Sequence, residues 1–332
     1  MTDERLRELF DDLAETLPEG SSRADELWWR GTRSRSRRRW TVAGAVALVV
    51  AGVVVFPEPV ERGVAVAPAP AVDTVGGAEL PALVTALPER WADIPVVTAV
   101  PGPVLALAEF GDGRIYALKS GGRIPLDVKP PLTPNSLAPD GTMAAFPRKD
   151  EVVVVDLVIG QARRYPVPGA NEVVLWRGER LLVEQERANY LLDLATGEAR
   201  RQRYKGFTGV AGFRDLRIVS GKGGRTVIQE NGSEVPLDVR GITDGPGEHG
   251  WQRDGLVATS AAAHSYLADA ATGQVIRTLR CEKSCPVRGW LGHGTVIVEN
   301  EGRLLGWNIA TGALSRVADL PDGVAAYSLR GG

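Results

Sequence analysis

Few side chains in this 332-residue chain are suited to catalysis or metal binding. The three histidines, His249, His264 and His293, fall in different segments, and none belongs to a recognisable metal-binding or nucleophile motif. The chain has no phosphate-binding glycine loop with a lysine, no Gly-x-Ser-x-Gly elbow and no Asp-rich calcium loop. We therefore expect neither enzyme activity nor a cofactor. The enzymatic alternative, an exported hydrolase or lyase, requires carboxylates that converge only in the folded chain.

The two cysteines lie four residues apart in "CEKSC", Cys281 to Cys285. In an oxidising compartment, this spacing favours a local disulfide, which steadies a loop and contributes at most about 1 to 3 kcal/mol to stability. Free thiols and a metal-binding pair are the alternatives. The redox state of these cysteines therefore depends on the compartment, which the first 56 residues help to identify.

Charge is segregated along the first 39 residues. Met1 to Glu26 contain nine acidic and three basic residues, whereas Arg30 to Arg39 contain six arginines and no acid. The net charge of the whole chain is −2, without the basic excess of a nucleic-acid-binding domain, so nucleic acid is not an expected partner. The arginine block instead has the composition of the cytoplasmic flank of a membrane span.

An apolar run of 17 residues, Trp40 to Phe56, follows the arginines. As a helix it would span about 25 Å, which is the short end of the transmembrane range, and it lacks the polar face that a helix of a soluble core needs. The positive-inside rule places its N-terminal side in the cytoplasm. The predicted domains are a cytoplasmic segment 1–39, a transmembrane helix 40–56, a Pro/Ala/Gly linker 57–80 and an extracytoplasmic domain 81–332.

A cleaved signal peptide is the alternative to a retained anchor. "SRRRW", Ser36 to Trp40, resembles a twin-arginine export signal, and "AVAPAPA", Ala65 to Ala71, offers cleavage sites with small residues. Against cleavage, the stretch before the apolar run has the pattern of structured helices, which a discarded leader does not need. No cysteine follows the run for lipid attachment.

The segment "TDERLRELFDDLAETLPEG" has the spacing of an amphipathic helix. Its apolar residues recur at intervals of three and four: Leu6, Leu9, Phe10, Leu13 and Leu17. In one interpretation this stripe packs on a second short helix predicted from Ser22. A module of some 30 residues buries two helices poorly, however, so in the other interpretation the stripe binds a cytoplasmic partner.

Six glycines recur at nearly constant spacing in the C-terminal part of the chain. They are 38, 37, 35, 41 and 39 residues apart, and each lies between two short strand patterns, as in "LLDLATGEAR": Gly122, Gly160, Gly197, Gly232, Gly273 and Gly312. A period of about 40 residues is typical of one four-stranded propeller blade. The sequence therefore predicts an all-β fold, a β-propeller of six four-stranded blades.

A second series supports this period. Trp176, Phe213, Trp251 and Trp290 are 37, 38 and 39 residues apart. Large aromatic side chains at the blade period are expected to pack between neighbouring blades.

Two stretches carry a resemblance to known propellers. "LAPDGTMAAF", Leu137 to Phe146, is similar to the strand-turn-strand unit of TolB-like and WD-repeat-like propellers, and "DLATG" at Asp193 is similar to their outer hairpin. The Trp-Asp dipeptide of true WD repeats is absent. The resemblance covers about residues 90 to 330 and implies a binding platform rather than an enzyme.

Residues 1–56 resemble the front end of single-span membrane proteins of high-GC bacteria, some of which are anti-sigma factors, although the His-x-x-x-Cys-x-x-Cys zinc motif is missing. We expect a membrane-anchored extracytoplasmic sensor or binding propeller. Its expected partners are the lipid bilayer, an unknown extracytoplasmic ligand or protein, and a cytoplasmic regulator such as a sigma factor. An envelope-assembly accessory protein is a further alternative.

Overall fold

The computed structural model describes residues 70–76, 79–221, 224–237, 250–261 and 263–331. The predicted cytoplasmic segment 1–39, the predicted transmembrane helix 40–56 and residues 57–69 of the predicted linker lie outside these ranges. Within the ranges, no helix is long and apolar enough to cross a membrane. The described part of the chain contains one 3₁₀ helix, Trp91–Asp93, and is otherwise built from strands.

The strands are mostly short. Those before residue 202 are β1 (Ala71–Thr74), β2 (Ala106–Glu109), β3 (Ile115–Lys119), β4 (Gly122–Pro125), β5 (Met143–Asp156), β6 (Gln161–Ala170), β7 (Val173–Arg177), β8 (Arg180–Glu184), β9 (Tyr190–Asp193) and β10 (Ala199–Arg201). Those after it are β11 (Arg217–Gly221), β12 (Gly224–Ile228), β13 (Glu234–Leu237), β14 (Trp251–Arg253), β15 (Leu256–Ala261), β16 (His264–Asp269), β17 (Val275–Arg280), β18 (Val287–Leu291), β19 (Thr295–Asn300), β20 (Arg303–Asn308), β21 (Leu314–Asp319) and β22 (Ala326–Leu329).

Consecutive strands pair into successive antiparallel sheets, which is the arrangement of a β-propeller. Five sheets of the described chain have three to five strands and form the blades: β22-β2-β3-β4, β7 to β10, β11 to β13, β14 to β17 with β1 added, and β18 to β21. A further sheet pairs only β5 with β6. The predicted all-β propeller is confirmed. Of the six predicted four-stranded blades, five sheets of the described chain reach three or more strands, and the remaining sheet has two.

The two-stranded sheet has a local cause. β5 is 14 residues long, yet the N–H of Leu157, just after its end, donates to the carbonyl of Thr142, just before its start (2.8 Å). The strand therefore turns back on itself at Asp150, which adopts a φ of 62°. The turn is so tight that no loop residue separates the two halves, and both are counted within β5.

The first and last strands of the propeller pair with each other. β22, at the C-terminal end, is antiparallel to β2, with Ala106 opposite Leu329. This pairing joins the two ends of the propeller in one blade, the closing blade (β22-β2-β3-β4). Closure removes the free inner edges that would otherwise invite pairing with other chains.

Residues 71–76 and 79–97, here called the strap, run along the outer edges of three blades. β1 lies parallel to β17, the N–H of Leu83 donates to the carbonyl of Arg316 on β21 (2.7 Å), and the N–H of Val97 donates to the carbonyl of Arg123 on β4 (3.0 Å). The predicted linker 57–80 thus contains a strand, since the outer edge of β17 offers backbone partners to the extended stretch "AVDT". The strap covers edges that would otherwise be exposed.

Asp73 fixes the strap to the propeller. Its carboxylate accepts two hydrogen bonds from Nη1 of Arg277 (2.9 and 3.0 Å) and one from the indole N–H of Trp307 (2.9 Å). The side chains of Asp73 and Arg277 are 16% and 14% exposed, so this ion pair is largely shielded from water. Charge-assisted bonds in such a setting are stronger than exposed ones.

Three of the four residues in the aromatic series pack between sheets. The indole N–H of Trp251 donates to the carbonyl of Val287, and that of Trp290 donates back to the carbonyl of Trp251. Trp176 is likewise buried, and its indole donates to Ser136. Phe213 does not belong to the series: it is 71% exposed, because it lies in the loop before β11, in which Val210 is the buried residue.

Candidate binding surface

Three of the turns between the last two strands of a blade share one construction. Oδ1 of Asp193 accepts the N–H of Thr196 and also the threonine hydroxyl, whose oxygen in turn accepts the N–H of Glu198. Asp269 and Asn308 make the same contacts in the β16–β17 and β20–β21 turns. The hydrogen bond from the backbone of Thr196, above all, lowers the pKa of Asp193. These three side chains therefore shape their turns.

Five of the six predicted turn glycines have a positive φ, between 72° and 82°, which favours glycine at these positions: Gly160, Gly197, Gly232, Gly273 and Gly312. Gly122 differs. It is the first residue of β4, and a Cβ atom there would collide with the side chain of Val97 in the strap. Its role is close packing rather than turn formation.

The β5–β6 turn, "DLVIG", departs from this construction. Asp156 accepts the N–H groups of Val158 (2.9 Å) and Ile159 (3.1 Å), as its counterparts do. Ile159, however, takes the place of the threonine, and a hydrocarbon side chain cannot make the two hydroxyl hydrogen bonds. Val158 and Ile159 are 75% and 62% exposed, so this turn gives up polar contacts and leaves two aliphatic side chains in solvent.

Two cavities flank this turn. A cavity of about 580 Å³ lies on the side of the closing blade, and one of about 320 Å³ lies on the side of the β7–β10 blade. Ile159 and Asp156 line both of them. The first also contains Lys119 and Asp127, and the second Arg163 and Glu179, so each cavity has charges of both signs among apolar side chains. We call Val158, Ile159 and the two cavities the turn surface; such concave apolar sites with few polar groups are typical of binding.

The equivalent turns follow one another around one face of the propeller. Tyr165, near the start of β6, donates its hydroxyl to the carbonyl of Leu194 in the β9–β10 turn (3.1 Å). Arg277, near the start of β17, donates to the carbonyl of Ala310 in the β20–β21 turn (3.0 Å). β1 runs parallel to β17 from Ala71 onward, so the chain enters the strap from this same face, which we call the turn face.

A buried carboxylate joins two other blades. Oε1 of Glu184 at the end of β8 accepts the N–H groups of Thr208 (3.0 Å) and Gly209 (2.7 Å), which lead into the β11–β13 blade. Burial raises the pKa of Glu184 to about 7. Arg177 on the adjacent strand donates to the carbonyl of Gly212 (3.0 Å), and burial lowers its pKa. Both groups bind backbone of the next blade, which is a structural role.

A second polar cluster sits at the ring closure. Glu299 accepts hydrogen bonds from Arg288 (2.8 Å) and from the hydroxyl of Tyr327 on β22. Burial raises the pKa of Tyr327 well above its usual value. This cluster ties the β18–β21 blade to the closing blade and supports closure rather than chemistry.

Among the described residues, the two cysteines are bonded to each other and the two histidines lie on opposite faces of the propeller. Cys281 and Cys285 are joined in a disulfide, in the loop between β17 and β18 on the face opposite the turn face. His264 opens β16 on that opposite face, whereas His293 lies beyond β18 on the turn face and pairs with Asp254 (2.7 Å). His249 lies outside the described residues. Within those residues, no group of three or more His, Cys, Asp or Glu side chains is arranged to hold a metal ion.

The predicted partner-binding stripe, Leu6, Leu9, Phe10, Leu13 and Leu17, lies outside the described residues. The turn surface, in contrast, is described but was not singled out by the sequence patterns. Its signal was present in the sequence: the β9–β10 turn reads "DLATG", whereas the β5–β6 turn reads "DLVIG", with Val-Ile in place of Ala-Thr. The sequence does not show whether these two side chains are buried or exposed, so their role could not be predicted from it.

No protein-family model and no curated protein matches this chain. Solved structures do. KlHsv2 with loop 6CD replaced by a Gly-Ser linker matches with a TM-score of 0.39 and 10% identity, over 54% of this chain and 62% of that chain. Dihydro-heme d1 dehydrogenase NirN in complex with DHE gives 0.46 and 15%, over 73% and 68%. BamB from Moraxella catarrhalis gives 0.39 and 14%, over 70% and 77%. These likenesses concern the fold alone.

Proposed function

We propose that this chain is a membrane-anchored extracytoplasmic propeller that binds a component of the cell envelope through its turn surface. The binding role rests on one observation, the exposure of Val158 and Ile159 at a position where three other blade turns carry alanine and threonine. A ring closed by β-pairing holds this surface rigidly, which reduces the entropy lost on binding.

Two features support an extracytoplasmic location. The arginine block before the apolar run 40–56 favours a cytoplasmic N-terminus and an exported C-terminal domain. The Cys281–Cys285 disulfide fits an oxidising compartment, because thiols are kept reduced in the bacterial cytosol.

The β5–β6 sheet is proposed as a sixth blade. Its turn glycine, Gly160, lies at the blade period, β5 turns back on itself at Asp150, and Leu137 bridges Ala144 as an additional inner strand would. The segment at Leu137, the two halves of β5 and β6 would then be the four strands of a blade between the closing blade and the β7–β10 blade. This assignment places the turn surface on a complete blade.

The cytoplasmic half of the proposal is regulatory. The stripe of Leu6, Leu9, Phe10, Leu13 and Leu17 has the form of a helix that docks in an apolar groove, and a sigma factor is the regulator we propose for it. Capture with the full chain tests this role. Replacing Leu9 and Leu13 together by aspartate is expected to abolish retention of the regulator, and equal retention by both proteins would disprove it.

Photo-crosslinking in growing cells tests the binding role. A photoreactive residue replaces Gln161, which is exposed and directly follows the turn. We expect an adduct, identified by mass spectrometry, that disappears when Val158→Ala and Ile159→Thr are added, because these changes restore the turn of the other blades. The matched control position is Glu198, which follows the β9–β10 turn. Adducts of equal yield at both positions would contradict the proposal.

A further inference from the structure

We infer that the ligand of the turn surface is the lipid bilayer itself, into whose interface Val158 and Ile159 insert. This inference rests on the proposed anchored topology and names the ligand class of the same surface. The propeller would then lie with its turn face on the membrane instead of swinging freely on its tether.

The other turns provide an internal comparison. Ala195, Ala271 and Ala310 occupy the place of Val158, and in each case the next residue is a threonine bonded into its own turn. Folding therefore does not require aliphatic residues here; the alternative residues make two more hydrogen bonds. The aliphatic pair exposes apolar surface at a protruding tip, which is how membrane-contacting loops reach the interfacial region.

The point where the chain enters the propeller identifies the membrane as the neighbour of this tip. β1 starts at Ala71 opposite Arg277, four residues after the β16–β17 turn glycine, and runs away from the turn face. The described chain therefore begins at the turn face, and the preceding residues join the propeller there. Val158 and Ile159 lie on that face.

The length of the connecting segment keeps the two surfaces close. Residues 57–69 separate the apolar run from the described chain, and thirteen residues reach at most about 45 Å when fully extended. A tether this short maintains a high effective concentration of the turn face at the bilayer, so even two aliphatic side chains suffice for frequent contact.

A second copy of the chain fits the surface less well. A stable protein interface buries about 800 Å² on each partner, whereas the protruding part of the turn surface consists of two aliphatic side chains. A bilayer needs no shape complementarity to receive them. The charges beside the turn are mixed, with Lys119 and Arg163 against Asp156 and Glu179, so the contact should depend little on salt.

Spin labelling of the full chain in phospholipid vesicles tests this inference. Gln161→Cys carries a nitroxide, and its collision rates with oxygen, which concentrates in lipid, and with a water-soluble nickel chelate are compared. The disulfide-bonded cysteines do not react with the label. We expect the oxygen-to-nickel ratio at position 161 to be several-fold higher than at the control Glu198→Cys, and to fall to the control value when Val158→Ala and Ile159→Thr are added.

Flotation of the same vesicles separates the possible failures. If the chain floats and the ratios at positions 161 and 198 are equal, the membrane contact is wrong while the anchor stands. If the label at 161 is shielded from both reagents and shows spin–spin broadening, a second copy covers the surface and the inference is overturned. If the chain does not float, the proposed anchoring fails, and the inference fails with it.

Discussion

Replacing Asp73 by alanine should detach the strap from the propeller. The substitution removes the carboxylate that accepts two hydrogen bonds from Arg277 and one from the indole of Trp307. Breaking a buried ion pair by deleting one partner costs about 3 to 5 kcal/mol. Arg277 keeps its bonds to the carbonyls of Ile309 and Ala310, however, so its charge remains partly satisfied. We therefore expect a loss of about 2 to 3 kcal/mol.

Thermal unfolding measures this loss. For a domain of this size, 1 kcal/mol lowers Tm by about 2 to 4 °C, so Asp73→Ala should lower Tm by about 4 to 12 °C. Asp73→Asn keeps an acceptor oxygen but loses the charge, and it should fall between the wild type and Asp73→Ala. Trp307→Phe removes the indole donor but also shrinks a fully buried ring, so its loss of Tm should exceed that of a single hydrogen bond.

Hydrogen exchange localises the effect. The N–H groups of Arg316 and Asp319 on β21 donate to the carbonyls of Pro81 and Glu89 in the strap. Once the strap detaches, these amides should exchange faster, whereas the N–H of Leu305 on β20, paired with its neighbours inside the same blade, should not change. A Tm within 1 °C of the wild type, or unchanged protection of Arg316 and Asp319, would refute the assigned role of Asp73.

Three further outcomes are expected. The pKa of Glu184 is about 7 in the folded protein and about 4.5 in the unfolded chain, so between these pH values the folded protein binds one more proton than the unfolded chain. The free energy of unfolding should therefore fall by up to about 3 kcal/mol as pH rises from 4.5 to 7. In denaturation experiments across this range, the stability of Glu184→Gln should depend less on pH. The double variant Val158→Ala with Ile159→Thr should melt no lower than the wild type, since it restores the hydroxyl bonds of the turn; a clear drop in Tm would show that the aliphatic pair serves folding. Without reductant, Cys281 and Cys285 should resist alkylation in protein purified from the envelope, and mass spectrometry that finds both modified would exclude the disulfide.

The blade architecture could be predicted because it depends on local patterns. A glycine with positive φ recurs in five of the six predicted blade turns. Trp251 and Trp290 recur at the same period because each fills an equivalent gap between neighbouring sheets. The reversal at Asp150 could not be predicted, since a single residue with positive φ replaces a recognisable turn motif.

Long-range pairing accounts for most of what the sequence did not reveal. The strap binds the outer edges of three blades through backbone groups, and backbone pairing of this kind leaves no periodic side-chain pattern. The exposure of Phe213 could not be predicted either, because the 37-residue and 38-residue spacings do not show that it falls in a loop instead of a strand. The turn surface could be predicted only in part. Val158 and Ile159 differ visibly from the Ala-Thr of three other turns, but their exposure is known only from the folded turn.

Membrane topology tests the central proposal most directly. An enzyme reporter that is active only in the cytoplasm is fused after Gly332 of the full chain, and a second copy of the reporter is fused before Met1 in a separate strain. The anchored extracytoplasmic propeller predicts an active N-terminal fusion and a silent C-terminal fusion, with both proteins present in the membrane fraction at similar amounts. An active C-terminal fusion would place the propeller in the cytoplasm and contradict the proposal.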